Sequence, residues 1–237
     1  MSSSQSYRNP VANKLLAAIP KEEYERLLPD LELVPLPIRQ VLYEANEPIK
    51  YAYFPLTAVV SVLTVMSDGK AIEAATVGNE AMVGIPLLLG TQSIPTQVVA
   101  QVPGEGLRMK AEVFMREVYW GSPLHTLLLR YMQTLMNQFA QTAACNCLHS
   151  IEERCCRWLL LTHDRVESDE FLLTHEYLAI MLGVRRASVS VVAAILQQAG
   201  FIRYNRGRVT ILNREGLESA SCECYQAIKQ ENERLLG

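Results

Sequence analysis

The sequence predicts an α+β chain: an N-terminal jelly-roll β-barrel, a long dimerisation helix and a C-terminal winged helix-turn-helix. Three observations carry this. Between residues 31 and 109, apolar side chains recur with period two in short runs cut by Pro, Gly and Asn. An unbroken helical pattern then runs from residue 123 to about 145. The stretch 171–212, FLLTHEYLAIMLGVRRASVSVVAAILQQAGFIRYNRGRVTIL, reads as helix, glycine turn, helix and hairpin.

At 237 residues the chain can hold two domains, each with its own core. An apolar share of 49% against 20% charged is ordinary for a water-soluble chain, and no run of about 18 apolar residues offers a membrane span. The start, MSSSQSYRNP, lacks the apolar centre of a secretory signal, so a cytoplasmic location is expected. All six cysteines, Cys145, Cys147, Cys155, Cys156, Cys222 and Cys224, lie in the second half. They read as reduced thiols, and their CxC, CC and CxC spacings differ from the CxxC common in zinc sites, so no metal or cofactor is expected. The alternative is a redox- or metal-sensing cluster of Cys145, Cys147, Cys155 and Cys156.

Residues 13–28 have helical spacing, divided by Pro20 into two short pieces. Strand candidates follow at 31–36, 40–43, 51–54, 58–66, 71–77, 96–102 and 106–109, and Ser67-Asp68-Gly69-Lys70 joins two of them as a hairpin. Many short, punctuated strands suggest a jelly roll. No histidine precedes His125 and no nucleophile stands beside a base, so the roll is not expected to be an enzyme. Residues 111–120 form a short helix leaving the sheet.

The long helix carries two apolar stripes. One is Leu124, Leu128, Tyr131 and Leu135; the other is Leu129, Met132, Met136, Phe139 and Ala143. Two stripes imply burial on two sides, such as the chain's own barrel and the same helix of a second copy, and the first stripe is assigned to that dimer contact. Burial wholly inside one subunit is the alternative. Residues 147–149 break the pattern, and Ser150-Ile151-Glu152-Glu153 has capping-box spacing for a new helix reaching about Thr162, which makes the break a hinge. The expected domains are 1–122, the roll; 123–149, the long helix and hinge; and 150–237, the winged helix-turn-helix. Residues 164–170 read as a polar connection, and 215–237 as a charged, helical tail.

In that last domain, Thr174 can cap a helix that opens at His175 and runs to Leu182, because its hydroxyl accepts from an unpaired first-turn amide. Gly183 ends the helix where the backbone needs positive φ, with Val184 as anchor, and small Ala179 lets the two helices cross steeply. The second helix, 187–198, sets Val189, Val192, Ala193 and Leu196 inward. Its other face offers Ala187, Ser190, Val191, Ala194 and Gln198, small or neutral side chains that fit a groove about 12 Å wide. Arg185 and Arg186 stand at the positive end of this helix, where cations are disfavoured, so phosphate or a guanine edge is what should hold them. Residues 201–211 alternate around a turn as a two-stranded wing, with Arg206 and Arg208 placed to follow a phosphate backbone. From Thr174 to Arg214 the basic residues are Arg185, Arg186, Arg203, Arg206, Arg208 and Arg214 against the single acid Glu176, although the whole chain has a formal charge of -3. Double-stranded DNA is the partner this predicts.

In this order and with these residues, the chain resembles the Crp/Fnr superfamily of bacterial transcription regulators, over nearly its whole length and most strongly across 150–212. The resemblance implies a homodimer that binds a two-fold symmetric DNA site, recruits or blocks RNA polymerase, and responds to a small-molecule effector. It implies that Arg186 reads guanine, that Ala187 and Val191 stand where nucleotide-responsive members carry further base-reading side chains, and that Ser188 and Ser190 are candidate phosphate or base contacts. Loss of the usual side chains at Ala187 and Val191 should alter the target, and either could touch a thymine methyl.

The effector site departs from the family. Nucleotide-binding members open a short helix with Gly-Glu-Leu and follow it with Arg-Ser or Arg-Thr, so that Glu meets ribose and Arg meets phosphate. Here Gly84, Ile85 and Pro86 occupy the first motif and Pro95-Thr96 the second, while Phe139 and Ala140 replace ligand-facing hydroxyls on the long helix. Ile85 and Pro95 cannot do that chemistry, because a phosphate pocket needs donors or positive charge. The expectation is a degenerate pocket with an unidentified effector or none, and no cyclic AMP in the usual way; Arg108 and Lys110 are the cations that could compensate. The iron–sulfur branch uses N-terminal cysteines, and this chain has none before Cys145. Haem-sensing relatives use a histidine or cysteine in the roll or long helix, where His125 reads as a surface residue.

Overall fold

The structure, a computed structural model, describes residues 12–236. The polar start at 1–10 lies outside the described residues. Pro20 divides the first helical stretch as expected, into α1 (Lys14–Ala17) and α2 (Lys21–Leu27). The Asn13 side chain caps α1 and donates to the carbonyls of Pro55 and Ala81 at 2.9 Å, which ties this segment to the roll.

The roll comprises β1 (Glu32–Leu36), β2 (Val41–Tyr43), β3 (Tyr51–Pro55), β4 (Val59–Val65), β5 (Ala71–Val77), β6 (Thr96–Val102) and β7 (Gly104–Lys110). They form two antiparallel sheets, β1-β7-β3 and β2-β6-β4-β5. Between them lies a core that includes Leu36, Phe54, Val60, Ala100 and Leu107. Gly69, at φ 81°, closes the β4–β5 hairpin with the Met66 amide donating to the Lys70 carbonyl at 2.8 Å. A short helix α3 (Ile85–Leu88) lies between β5 and β6, and α4 (Ala111–Glu117) leaves the last strand.

The long helix α5 (Pro123–Leu148) spans 26 residues, or about 39 Å at the α-helical rise. It continues through Cys147 and Leu148, where the sequence reading placed a break. Neither residue prevents a helix; the stop comes from Ser150, whose hydroxyl accepts from the Glu153 amide at 3.3 Å while Glu153 accepts from the Ser150 amide at 2.8 Å. That capping box opens α6 (Ile151–His163). The stripe assigned to the dimer contact is also corrected. Leu124, Leu128 and Tyr131 are buried against the roll, with Leu135 half-buried beside them, and the Tyr131 hydroxyl donates to the Met82 carbonyl at 2.7 Å. The other stripe is the more open one: Leu129, Met136 and Phe139 are 40%, 56% and 38% exposed, while Met132 is half-buried against the roll. His125 is buried rather than on the surface, with its ring 5.1 Å from that of Trp120.

The C-terminal part contains β8 (Glu170–Leu172), α7 (His175–Leu182), α8 (Arg186–Gln198), β9 (Ile202–Asn205), β10 (Arg208–Ile211), α9 (Arg214–Ala220) and α10 (Cys224–Leu236). The strands form a sheet in the order β8-β10-β9, one strand more than the sequence suggested. Its core, with Trp158, Leu160, Leu182, Leu196 and Tyr225, also takes in Val59, Leu63, Val99 and Val102 from the roll's outer face. Across that seam the Trp158 indole donates to Glu73 at 2.8 Å and the Gln101 amide to Thr162 at 3.0 Å. Burial raises the Glu73 carboxyl above the usual carboxylate range, against the hydrogen bonds that favour its charge. Among the described residues, no single helix is long and apolar enough to cross a membrane.

Candidate nucleic-acid interface

Helices α7 and α8 meet at 106°, within the range of a helix-turn-helix. Thr174 caps α7, its hydroxyl accepting from the Tyr177 amide at 3.2 Å. Gly183 takes the left-handed conformation at φ 63°, and the Val184 amide reaches the Ala179 carbonyl at 3.0 Å, closing the helix end. A side chain at Gly183 would also meet Ile72 of β5 at 2.6 Å, so glycine serves both the turn and the close approach of the roll.

On α8, Val189, Val192, Ala193 and Leu196 are buried, and Ala187, Val191, Ala194 and Gln198 are exposed on the other side. Val191 is 60% exposed, a large apolar side chain in open solvent. Ser188 and Ser190 are half-buried. The Ser190 hydroxyl lies 3.0 Å from His175 Nδ1 and donates to the Arg186 carbonyl at 3.2 Å, so it is occupied within the protein. Arg185 and Arg186 are exposed, and Arg186 Nε pairs with Glu176 of α7 at 2.7 Å. A cation at the positive end of α8 therefore has a carboxylate partner in the free chain.

The wing hairpin turns at Arg206 and Gly207, with φ 47° and 76°. Two successive positive-φ residues match the twist of a two-residue hairpin. An arginine in this conformation is uncommon, and here it places a cation at the wing's tip. The Leu173 amide donates to the Gly207 carbonyl at 2.8 Å, which seats this turn beside Thr174. The His175 and Tyr204 rings are 4.5 Å apart, locking wing to helix, and burial followed by the charge of Arg186 lowers the His175 pKa below its usual 6.5. Arg208 is exposed and pairs with Glu170 at 3.0 Å.

All six residues read as the effector pocket, Gly84, Ile85, Pro86, Pro95, Thr96 and Phe139, line one cavity of about 330 Å³ between the roll and α5. Other walls come from Tyr43, Met82, Tyr131 and Met136, and among the described residues none of the lining side chains carries a charge. The Tyr43 and Tyr131 hydroxyls already donate to main-chain carbonyls. Arg108 instead pairs with Glu32 at 2.8 Å and lies over the Tyr51 ring, and neither it nor Lys110 lines the cavity.

The four thiols grouped in the sequence reading are not brought together. Cys147 is exposed, while Cys155 and Cys156 are packed in the C-terminal core, where burial pushes the Cys156 thiol up to about 12 and Cys155 further. Cys145 instead meets Cys222, Cys224 and His149, a grouping the sequence reading missed. The available signal was the helical spacing of Cys145 and His149.

The arrangement is that of a DNA-binding regulator, a roll joined through a long helix to a winged reader. Two family models match in the same order: the cyclic nucleotide-binding domain over residues 33–118 and the Crp-like helix-turn-helix domain over residues 153–220. The chain belongs to the Crp/Fnr superfamily of DNA-binding transcription regulators. Among solved structures it is similar to FixK2 from Bradyrhizobium japonicum, at 16% identity and TM-score 0.68, covering 81% of this chain and 98% of that one. A CRP-family transcriptional regulator from Thermus thermophilus aligns at 20% identity and TM-score 0.66, covering 80% and 96%. The c-di-GMP responsive global regulator CLP of Xanthomonas campestris aligns at 16% identity and TM-score 0.62, covering 81% and 99%. These likenesses show the fold. No curated protein sequence matches the chain.

Proposed function

We propose that the protein is a cytoplasmic, homodimeric transcription regulator that binds a two-fold symmetric DNA site and acts on RNA polymerase, without needing cyclic AMP. The observation that carries the reading is α8 itself, with its buried face packed and its open face small and uncharged between Arg186 and the wing arginines. Arg186 is the proposed base reader, with Ala187 and Val191 facing base edges or a thymine methyl. Arg185, Arg206 and Arg208 are assigned to phosphates, with Thr174, His175 and Ser188 at the margin of the contact. Ser190 is assigned to holding His175.

Dimerisation is proposed through Leu129, Met132, Met136 and Phe139, whose alternating three- and four-residue spacing is that of a coiled-coil seam. The proposed division is a roll over 1–122, a helix and hinge over 123–149, and a reader over 150–237. An uncharged cavity suits an apolar effector better than a cyclic nucleotide, since a desolvated phosphate without a cation is costly. Met136 and Phe139 belong to both the cavity wall and the open stripe, so a ligand there would touch the dimer seam.

Titrating purified protein onto labelled genomic fragments, with and without cyclic AMP and cyclic GMP, tests this function. Tight binding to a subset of fragments without nucleotide supports the reading. Binding that requires nucleotide overturns the degenerate pocket, and equal binding to all fragments overturns sequence-specific recognition.

A further inference from the structure

At the C-terminal end of α5, Cys145 and His149 lie one helical turn apart and face the Cys222-Glu223-Cys224 turn that leads into α10. The three sulfurs and a ring nitrogen all lie within 4.8 Å of one another, although up to 79 residues of sequence separate them. Cys145 Sγ is 3.5 Å from Cys222 Sγ, and Cys224 Sγ is 3.5 Å from His149 Nδ1. The three cysteines are buried and form a small cluster of their own. We propose that Cys145, His149, Cys222 and Cys224 form a Cys3His site for one tetrahedral divalent ion of the zinc class, fastening the α9–α10 turn to the end of α5.

Geometry favours a single ion. Tetrahedral bonds of about 2.3 Å to sulfur and about 2.0 Å to nitrogen put neighbouring ligand atoms roughly 3.5 to 3.8 Å apart. The two measured spacings match that edge, and the widest needs only modest closure. Ligand type fits as well, since thiolates with an imidazole select zinc-class ions over magnesium or calcium.

The surroundings hold these ligands in place. Glu223 Oε2 lies 3.2 Å from His149 Nε2, the carboxylate contact that leaves Nδ1 free to ligate. The Gln141 amide donates to Cys224 Sγ at 3.0 Å. Tyr225, next to Cys224, is buried and held by Arg214 and Asp164, which fixes the start of α10. The buried guanidinium groups of Arg154 and Arg157 act on Cys145 electrostatically, offsetting the negative charge of a three-thiolate site. Arg154 also donates to the Leu182 carbonyl at the end of α7, beside the turn of the DNA reader. On binding, each thiol gives its proton to solvent and its sulfur lone pair to the ion, with no change of oxidation state.

The test is metal binding by the full chain. Metal-free, reduced protein is titrated with Co(II), whose tetrahedral thiolate complexes have visible bands and a charge-transfer band; displacement by Zn(II) and metal analysis of protein purified from zinc-supplemented cells follow. The expected result is one ion per chain, retained in Cys147→Ser and lost in Cys145→Ser and Cys224→Ser, with His149→Ala shifting the cobalt bands or weakening binding at least tenfold. Wild-type protein that stays colourless at micromolar Co(II) with all its thiols reactive overturns the proposal, whether or not the variants fold. So do binding that survives Cys224→Ser unchanged, an iron–sulfur spectrum, and a Cys145–Cys222 disulfide formed in place of metal uptake.

Discussion

Replacing Arg186 with alanine separates recognition from folding. In the free chain Arg186 is 66% exposed and its partner Glu176 is 60% exposed, at 2.7 Å. An exposed pair contributes about 0 to 1 kcal/mol, so the variant should fold and lose no more than that in stability. A guanidinium on a guanine edge contributes about 1 to 3 kcal/mol of discrimination, which is roughly 5- to 150-fold at about 1.4 kcal/mol per decade. Competition binding on the preferred site and on each single-base variant should show affinity falling by that factor for each half-site and preference relaxing at one position per half-site. Glu176→Gln should do the reverse: with no carboxylate competing for Arg186, affinity rises by up to about fivefold per half-site, the equivalent of ~1 kcal/mol. Unchanged base preference in Arg186→Ala would refute its placement at a base edge.

Arg206→Ala and Arg208→Ala should weaken binding to all sequences alike and each lower the salt slope by about 0.9 per half-site, about 1.8 for the dimer, as read from affinity against salt concentration. Met136→Glu puts a charge into the proposed seam from both chains and should weaken dimerisation by about 2 to 3 kcal/mol per chain, turning the protein monomeric in light scattering at micromolar concentration. His175 is held neutral by burial and by Arg186, so its folded pKa lies below the unfolded 6.5. Its contribution to stability is complete above about pH 6.5 and is lost as pH falls through the folded value; melting temperature against pH should show this slope in the wild type and a shallower one in His175→Gln.

The DNA-reading half was legible because each of its steps is local. Thr174, Gly183 and Ser150 fix helix ends through neighbours within a few residues, and the inward face of α8 follows from helical spacing alone. Strand β8 was not legible: three residues, one of them charged, form a strand only because β10 pairs with them. The two stripes of α5 were visible, but periodicity cannot say which one meets the roll; that is decided by partners such as Met82, which accepts from Tyr131. The cysteines were misgrouped because closeness along the chain was read as closeness in space. Cys147 is two positions from Cys145 and so points to another side of the same helix, whereas Cys222, 77 positions away, lies 3.5 Å from it. The Thr174 cap and the placing of the residues around Ile85 together follow from local pattern and resemblance, which also propose Arg186 as a reader; the Glu176 partner of Arg186 needed the crossing of α7 and α8.

The most direct measurement is a selection from random double-stranded DNA with purified, nucleotide-free protein, with the bound stoichiometry measured on the winning sequence. A two-fold symmetric pair of readers should select an inverted repeat whose half-site centres lie about 10 base pairs apart, or a whole number of helical turns, bound by two chains. A single unrepeated motif bound by one chain, or no enrichment over the starting pool, would contradict it.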